Sequence, residues 1–171
     1  RVLNEQEGLY TLLLRGLENG LPVEQREMIE SVSRCINPYE DYDAFVALAQ
    51  QPEIEFIVSN TTEAGIAFDP ADRPGLRPPR SFPGKLTAFL FHRYECYGAD
   101  PSKGLVILPC ELIDRNGDNL RRIVLQLAGD WGLPADFREW VENHHLFLNT
   151  LVDRVVTGYP GDQAERLRPE L

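Results

Sequence analysis

Apolar positions fall along the chain in two rhythms, alternate residues in some stretches and every third or fourth in others. Two strand-like runs come first, Leu9-Tyr10-Thr11-Leu12-Leu13-Leu14-Arg15 and Met28 through Ile36, with Glu18-Asn19-Gly20 as a turn between them. Together they predict a hairpin. Asn37-Pro38-Tyr39 breaks the second run, after which Tyr42, Phe45, Val46, Leu48 and Ala49 recur at helical spacing as far as Pro52. That helix is expected to lie on a sheet. Ile54-Glu55-Phe56-Ile57-Val58-Ser59-Asn60 has the form of a buried strand, delivering Thr61-Thr62-Glu63-Ala64-Gly65 as a loop at its carboxyl end.

Residues 69 to 84 carry Pro70, Pro74, Pro78, Pro79 and Pro83 with Gly75 and Gly84. This density excludes a regular element and reads as a mobile surface excursion. Beyond it, residues 85–97 predict a helix with Leu86, Phe89, Leu90 and Tyr94 on one side, and Leu105 to Cys110 predicts a strand. A helix through Leu120, Ile123, Val124, Leu127 and Trp131 follows Asn116-Gly117-Asp118, a second starts near Pro134, and residues 146–156 predict a last strand. Strands alternating with helices predict an α/β fold: an incomplete Rossmann-like, mostly parallel sheet flanked by helices, preceded by a hairpin-like pair.

Composition adds limits. The 171 residues are 43% hydrophobic and 26% charged, an ordinary globular balance, and no run approaches the ~20 apolar residues of a membrane-spanning helix. Seventeen Lys and Arg against 27 Asp and Glu give a net charge of −10, which repels phosphate backbones and anionic lipid. Nucleic acid and membrane are therefore not expected as partners. An odd set of cysteines, Cys35, Cys96 and Cys110, reads as free thiols in a reducing, cytoplasmic setting. The chain opens on Arg1 and its only methionine is Met28, so it is read as a piece of a longer protein.

In an open α/β sheet, ligands bind outside the carboxyl ends of the strands. The tips to examine are Asn60-Thr61-Thr62-Glu63, Cys110-Glu111 and Asp153-Arg154. Thr and Asn side chains suit ribose and phosphate oxygens, and a carboxylate can accept bonds from a polyol; the alternative is that Ser59 to Thr62 only cap the following segment. Asp153-Arg154 stands between Leu151-Val152 and Val155-Val156, where unpaired charges are costly. A structural ion pair and a ligand contact both satisfy that condition. Asn143-His144-His145 is no metal motif, since adjacent histidines point to different sides and no Cys or Asp stands at ligand spacing. No GxGxxG occurs.

Three ordered segments carry a family resemblance: Phe56 to Ile66 (FIVSNTTEAGI), Pro109 to Gly117 (PCELIDRNG) and Thr150 to Pro160 (TLVDRVVTGYP). In these the chain resembles the mannitol dehydrogenase family of long-chain polyol dehydrogenases, from Glu7 to Pro160. The resemblance implies a longer two-domain enzyme, with residues 1–160 as part of an NAD-binding Rossmann-like domain and 161–171 as the start of the connection to a C-terminal helical substrate domain of the same chain. It implies that Asn60, Thr61, Thr62 and Glu111 face the NAD cofactor and that Asp153 and Arg154 lie at the substrate pocket.

The wider family carries Cys-Asp-Asn and, three residues further, Asn-Gly. Here the match is Cys110-Glu111-Leu112 with Asn116-Gly117, and Leu112 cannot donate the hydrogen bond that the asparagine gives the reacting oxygen. The variant is similar to the uronate branch, implying hydride transfer between D-tagaturonate and D-altronate, with fructuronate reduction as the second choice. The family's catalytic Lys, Asn and His lie in the second domain; neither Lys85 nor Lys103 has their spacing, so this polypeptide is expected to be inactive alone. A non-catalytic nucleotide-binding module is the competing class.

Overall fold

The computed structural model describes residues 2–152 and 161. Within them the chain divides into two compact units, residues 2–36 and residues 37–152. The expected division at residue 160 falls outside the described residues, as do Asp153 and Arg154.

The first unit holds a short helix α1 (Val2–Glu5) and an antiparallel hairpin of β1 (Tyr10–Glu18) and β2 (Leu21–Ile29), in register from Tyr10 opposite Ile29 to Glu18 opposite Leu21. Asn19 and Gly20 form the two-residue loop with φ of 52° and 79°, the left-handed pair that matches the twist of flanking strands. The predicted turn is present, but the second strand is displaced from the expected Met28–Ile36 to Leu21–Ile29. So tight a turn starts pairing at once, and the polar residues Glu24 to Glu27 are carried into the strand, where Arg15 meets its register partner Glu24 at 2.8 Å. The Asn4 side chain clasps Cys35 through both backbone groups, at 2.8 and 2.6 Å. Gly8, at φ 82°, passes so close to Val32 that a Cβ would lie 1.7 Å from its carbonyl oxygen.

The second unit is built on a parallel sheet in the order β3 (Phe56–Ser59), β4 (Val106–Pro109), β5 (Leu146–Phe147). Its helices are α2 (Tyr42–Ala47), α3 (Phe82–Tyr97), α4 (Asn116–Asp130) and α5 (Ala135–His144). Leu90, Ile107, Leu120, Val124, Phe137 and Trp140 form the centre of its core. The fold class expected from the alternating pattern is the one found.

Three expectations need correction. β3 is not buried on both sides: Ile57 packs on the core, whereas Phe56 and Val58 on the opposite face are 59% and 65% exposed. Among the described residues of this unit, helices cover one face of the strand. The proline-rich stretch is not a loose excursion either, because Pro78 and Pro79 are buried and the buried Asp72 carboxylate accepts from the backbone N–H groups of Arg80 (2.5 Å) and Ser81 (3.2 Å) and from the Ser81 hydroxyl (2.5 Å). Its last residues are helical: Ser81 caps α3 by accepting from Gly84 N–H, and Pro83 fits the first turn, where a helix needs no N–H. Finally, β5 ends at Phe147 instead of running on to residue 156, since the polar groups of Asn149 and Thr150 bond to the start of α4.

Arg93 is another charge placed inside. Its guanidinium donates to the carbonyl oxygens of Lys103, Ala49, Gln51 and Ile54 at 2.9 to 3.1 Å, fastening the turns before β3 and β4 to α3. Burial lowers its pKa, and Tyr97 and Cys96 oppose the shift.

Candidate functional site at the strand ends

The carboxyl ends of β3 and β4 lie side by side, with Ser59 opposite Pro109 in register and Cys110 N–H donating to the Ser59 carbonyl at 2.7 Å. Immediately beyond, the Glu111 carboxylate reaches across. One oxygen accepts from the Ser59 hydroxyl at 2.9 Å, the other from the Thr61 N–H at 3.0 Å and the Thr61 hydroxyl at 2.8 Å. Glu111 is 3% exposed. Burial raises its pKa, but the bonds from Thr61 and Ser59 outweigh it and leave the carboxyl below the usual glutamate value. It is therefore an anion at neutral pH, used as an acceptor.

The loop that Glu111 grips is close-fitted. A Cβ on Gly65 would lie 1.8 Å from the Thr61 hydroxyl oxygen, so only glycine lets the loop turn back over Thr61. Asn60, Thr61 and Thr62 are all exposed, and Asn60 and Thr62 make no side-chain hydrogen bond to another described residue. The Ser59 and Thr61 hydroxyls bind Glu111 and do not cap the segment that follows.

A second polar centre lies on the other side of β4. Asn116, fully buried, directs its amide nitrogen at three carbonyl oxygens: Pro109 at 2.8 Å, Glu111 at 3.0 Å and Thr150 at 3.1 Å. Its amide oxygen accepts from the N–H groups of Gly117 (2.8 Å) and Thr150 (3.0 Å). The Thr150 hydroxyl donates to the Pro109 carbonyl, and Asn149 accepts from Asp118 N–H at 3.0 Å. Gly117 has a steric reason to be glycine: a Cβ there would stand 2.4 Å from the Leu148 carbonyl oxygen, which crosses the start of α4. These bonds satisfy the first N–H groups of α4 from within the protein.

The structure thus brings Asn60, Thr61, Thr62 and Glu111 together on one edge, and leaves Leu112 half-exposed beside them. Ser59, Asn116 and Thr150 were not singled out from the sequence as contacts of this site. The Asn-Gly pair just ahead of a helical apolar pattern was the available signal. Away from the edge, His145 is buried edge-on against Trp140, ring centres 4.3 Å apart, and burial pulls its pKa to about 4. No group of three His, Cys, Asp or Glu side chains fit to hold a metal occurs among the described residues, and no helix there is long and apolar enough to cross a membrane.

Altronate oxidoreductase of Yersinia enterocolitica is 51% identical over 170 residues, covering 99% of this chain and 35% of that protein. Altronate oxidoreductase of Bacillus subtilis is 47% identical over 169 residues, again 99% and 35%. The chain spans about a third of the length of these relatives. Among solved structures, Pseudomonas fluorescens mannitol 2-dehydrogenase in ternary complex with NAD and D-mannitol superposes with a TM-score of 0.77 at 21% identity, over 98% of this chain and 35% of that one. A D-sorbitol dehydrogenase in substrate-free form gives 0.76 at 18%, over 98% and 36%. These two likenesses establish the fold. The model for the mannitol dehydrogenase Rossmann domain matches residues 1–168, and the chain belongs to that family.

Proposed function

We propose that the full-length protein is an NAD-dependent tagaturonate reductase, interconverting D-tagaturonate and D-altronate in the cytoplasm, and that this chain supplies part of its dinucleotide-binding half. The observation that carries the reading is the 51% and 47% identity to altronate oxidoreductases across almost the whole chain. The strand-end edge supports it, because polar, exposed Asn60 and Thr62 stand where α/β sheets take nucleotides.

These residues fit a dinucleotide in a specific way. Thr61 is committed to Glu111 through both N–H and hydroxyl, so the loop is fixed in place and Asn60 and Thr62 carry the polar atoms offered to ribose or phosphate oxygens. Glu111 acts by holding the loop, since each of its oxygens already accepts a bond from Ser59 or Thr61. When bound, NADH supplies the hydride for the carbonyl carbon, and the protein aligns the two and steadies charge on the oxygen. Asp153 and Arg154 remain the proposed substrate contacts, and the Lys, Asn and His of the family's second domain the proposed catalytic set; this polypeptide alone would not turn over.

Assay of the full-length enzyme with NADH against tagaturonate, fructuronate and fructose tests the proposal. The highest kcat/KM is expected with tagaturonate. A preference for fructuronate would make it a mannonate oxidoreductase instead, and absence of NADH oxidation with all three would favour a non-catalytic module.

A further inference from the structure

Asn116 takes no part in the proposed chemistry, yet it has a denser set of polar contacts than any group at the strand ends. Its amide joins two pieces of backbone that are far apart in sequence: the turn leaving β4, through the carbonyls of Pro109 and Glu111, and the segment leaving β5, through the carbonyl and N–H of Thr150. The Thr150 hydroxyl makes the same link directly by donating to Pro109. From the β4 turn, the Glu111 side chain continues the connection to Thr61 in the loop leaving β3. An unbroken line of hydrogen bonds therefore runs from the loop after β3 to the segment after β5, with Asn116 at its middle.

Side-chain amides buried without water have few ways to be satisfied, and here both halves of the amide are used. Replacing Asn116 leaves the Thr150 N–H without its acceptor and loosens the hold on the Pro109 and Glu111 carbonyls, on opposite sides of the line. Such a connection does more than stabilise: it fixes the spacing between the edge offered to the cofactor and the chain leaving β5.

We propose that Asn116 is a positioning residue for hydride transfer, setting the Thr61 loop and the segment leaving β5 in one fixed relation through Glu111 on one side and Thr150 on the other. The inference rests on the reading above that this edge receives NADH.

The test uses the full-length enzyme with T150V, T150S, E111Q and the E111Q/T150V pair, reading NADH Kd by fluorescence titration and kcat/KM with tagaturonate. T150V removes one partly buried hydroxyl some distance along the line from the Thr61 loop. It is expected nonetheless to raise the NADH Kd at least threefold, with T150S restoring it to within twofold of wild type. E111Q is expected to raise the Kd about tenfold, and the double variant no more than E111Q alone, because both changes loosen bonds that converge on the turn leaving β4. A purely structural Thr150 would lower the melting temperature and leave NADH Kd unmoved. T150V with wild-type NADH Kd, or a double variant whose loss equals the product of the two single losses, would overturn the proposal. A wild-type enzyme that does not bind NADH would overturn the reading beneath it as well, and is distinguished by that result alone.

Discussion

Glu111 holds Thr61 twice, by its N–H at 3.0 Å and its hydroxyl at 2.8 Å, across 50 positions of sequence. Removing the carboxylate leaves the buried Ser59 hydroxyl and the partly buried N–H and hydroxyl bonds of Thr61 without their acceptor. Glu111→Ala is accordingly expected to destabilise the protein by about 2–4 kcal/mol, the penalty for orphaned buried groups plus the lost charged hydrogen bonds. Urea unfolding of wild type and variant measures it; a change under ~0.5 kcal/mol would show that the clamp is not formed in solution.

Glycine-to-alanine changes separate sites where the backbone crowds from sites where it does not. Gly117→Ala sets a methyl 2.4 Å from the Leu148 carbonyl, so the β5 exit or the start of α4 has to move. A loss of roughly 2–4 kcal/mol is expected, in the range of overpacked or strained positions. Gly75→Ala meets nothing within 4 Å and should stay within ~0.5 kcal/mol of wild type. Equal midpoints for the two variants would contradict the contact.

Acid should weaken the protein in two separable steps. His145 titrates near 4 when folded against its ordinary 6.5, because burial disfavours the imidazolium. Between those values the unfolded chain binds a proton that the folded one does not. Stability is therefore undiminished by this group above about pH 6.5 and falls as pH is lowered toward 4, by on the order of 3 kcal/mol in all. Glu111 has its folded pKa below its ordinary value, so its contribution is complete above about pH 4.5 and is lost at lower pH. His145→Phe, which keeps an aromatic edge against Trp140, is expected to flatten the urea midpoint between pH 6.5 and 5 and to leave the lower step. An unchanged slope in that upper window would rule out His145 as its source.

Arg93→Lys tests whether geometry or charge matters inside α3. A lysine ammonium has three donors on a flexible stem and cannot reproduce a planar fork reaching Lys103, Ala49, Gln51 and Ile54 together. A cost of about 2–3 kcal/mol is expected from unmet carbonyls, seen as a lower thermal midpoint. Parity with wild type would mean that charge alone suffices.

Asp153→Ala in the full-length enzyme is expected to lower kcat/KM for tagaturonate at least tenfold while NADH Kd stays within twofold. Normal kcat/KM would remove Asp153 from the substrate pocket.

Much of the second unit could be read from pattern. β3, β4 and helices α3 to α5 follow their apolar periods, and the strand-end rule led to the edge where Thr61 and Glu111 meet. Other features depend on contacts that period does not encode. β2 is rich in charge at Glu24 to Glu27, and only the two-residue turn makes it a strand. Asp72 and Arg93 look like surface residues in sequence, because a buried charge is recognisable only once the backbone groups that surround it are in place. Glu111 reads as a ligand-facing acid from its place after β4; its partners, Ser59 and Thr61, become neighbours only through the parallel pairing of β3 and β4.

Leu112 is 52% exposed, between the locked Glu111 and the locked Asn116. Within the Cys-Glu-Leu to Asn-Gly stretch, exposed positions thus alternate with two residues fixed by buried hydrogen bonds. A different side chain at Leu112 would leave the hydrogen bonds of Glu111 and Asn116 in place.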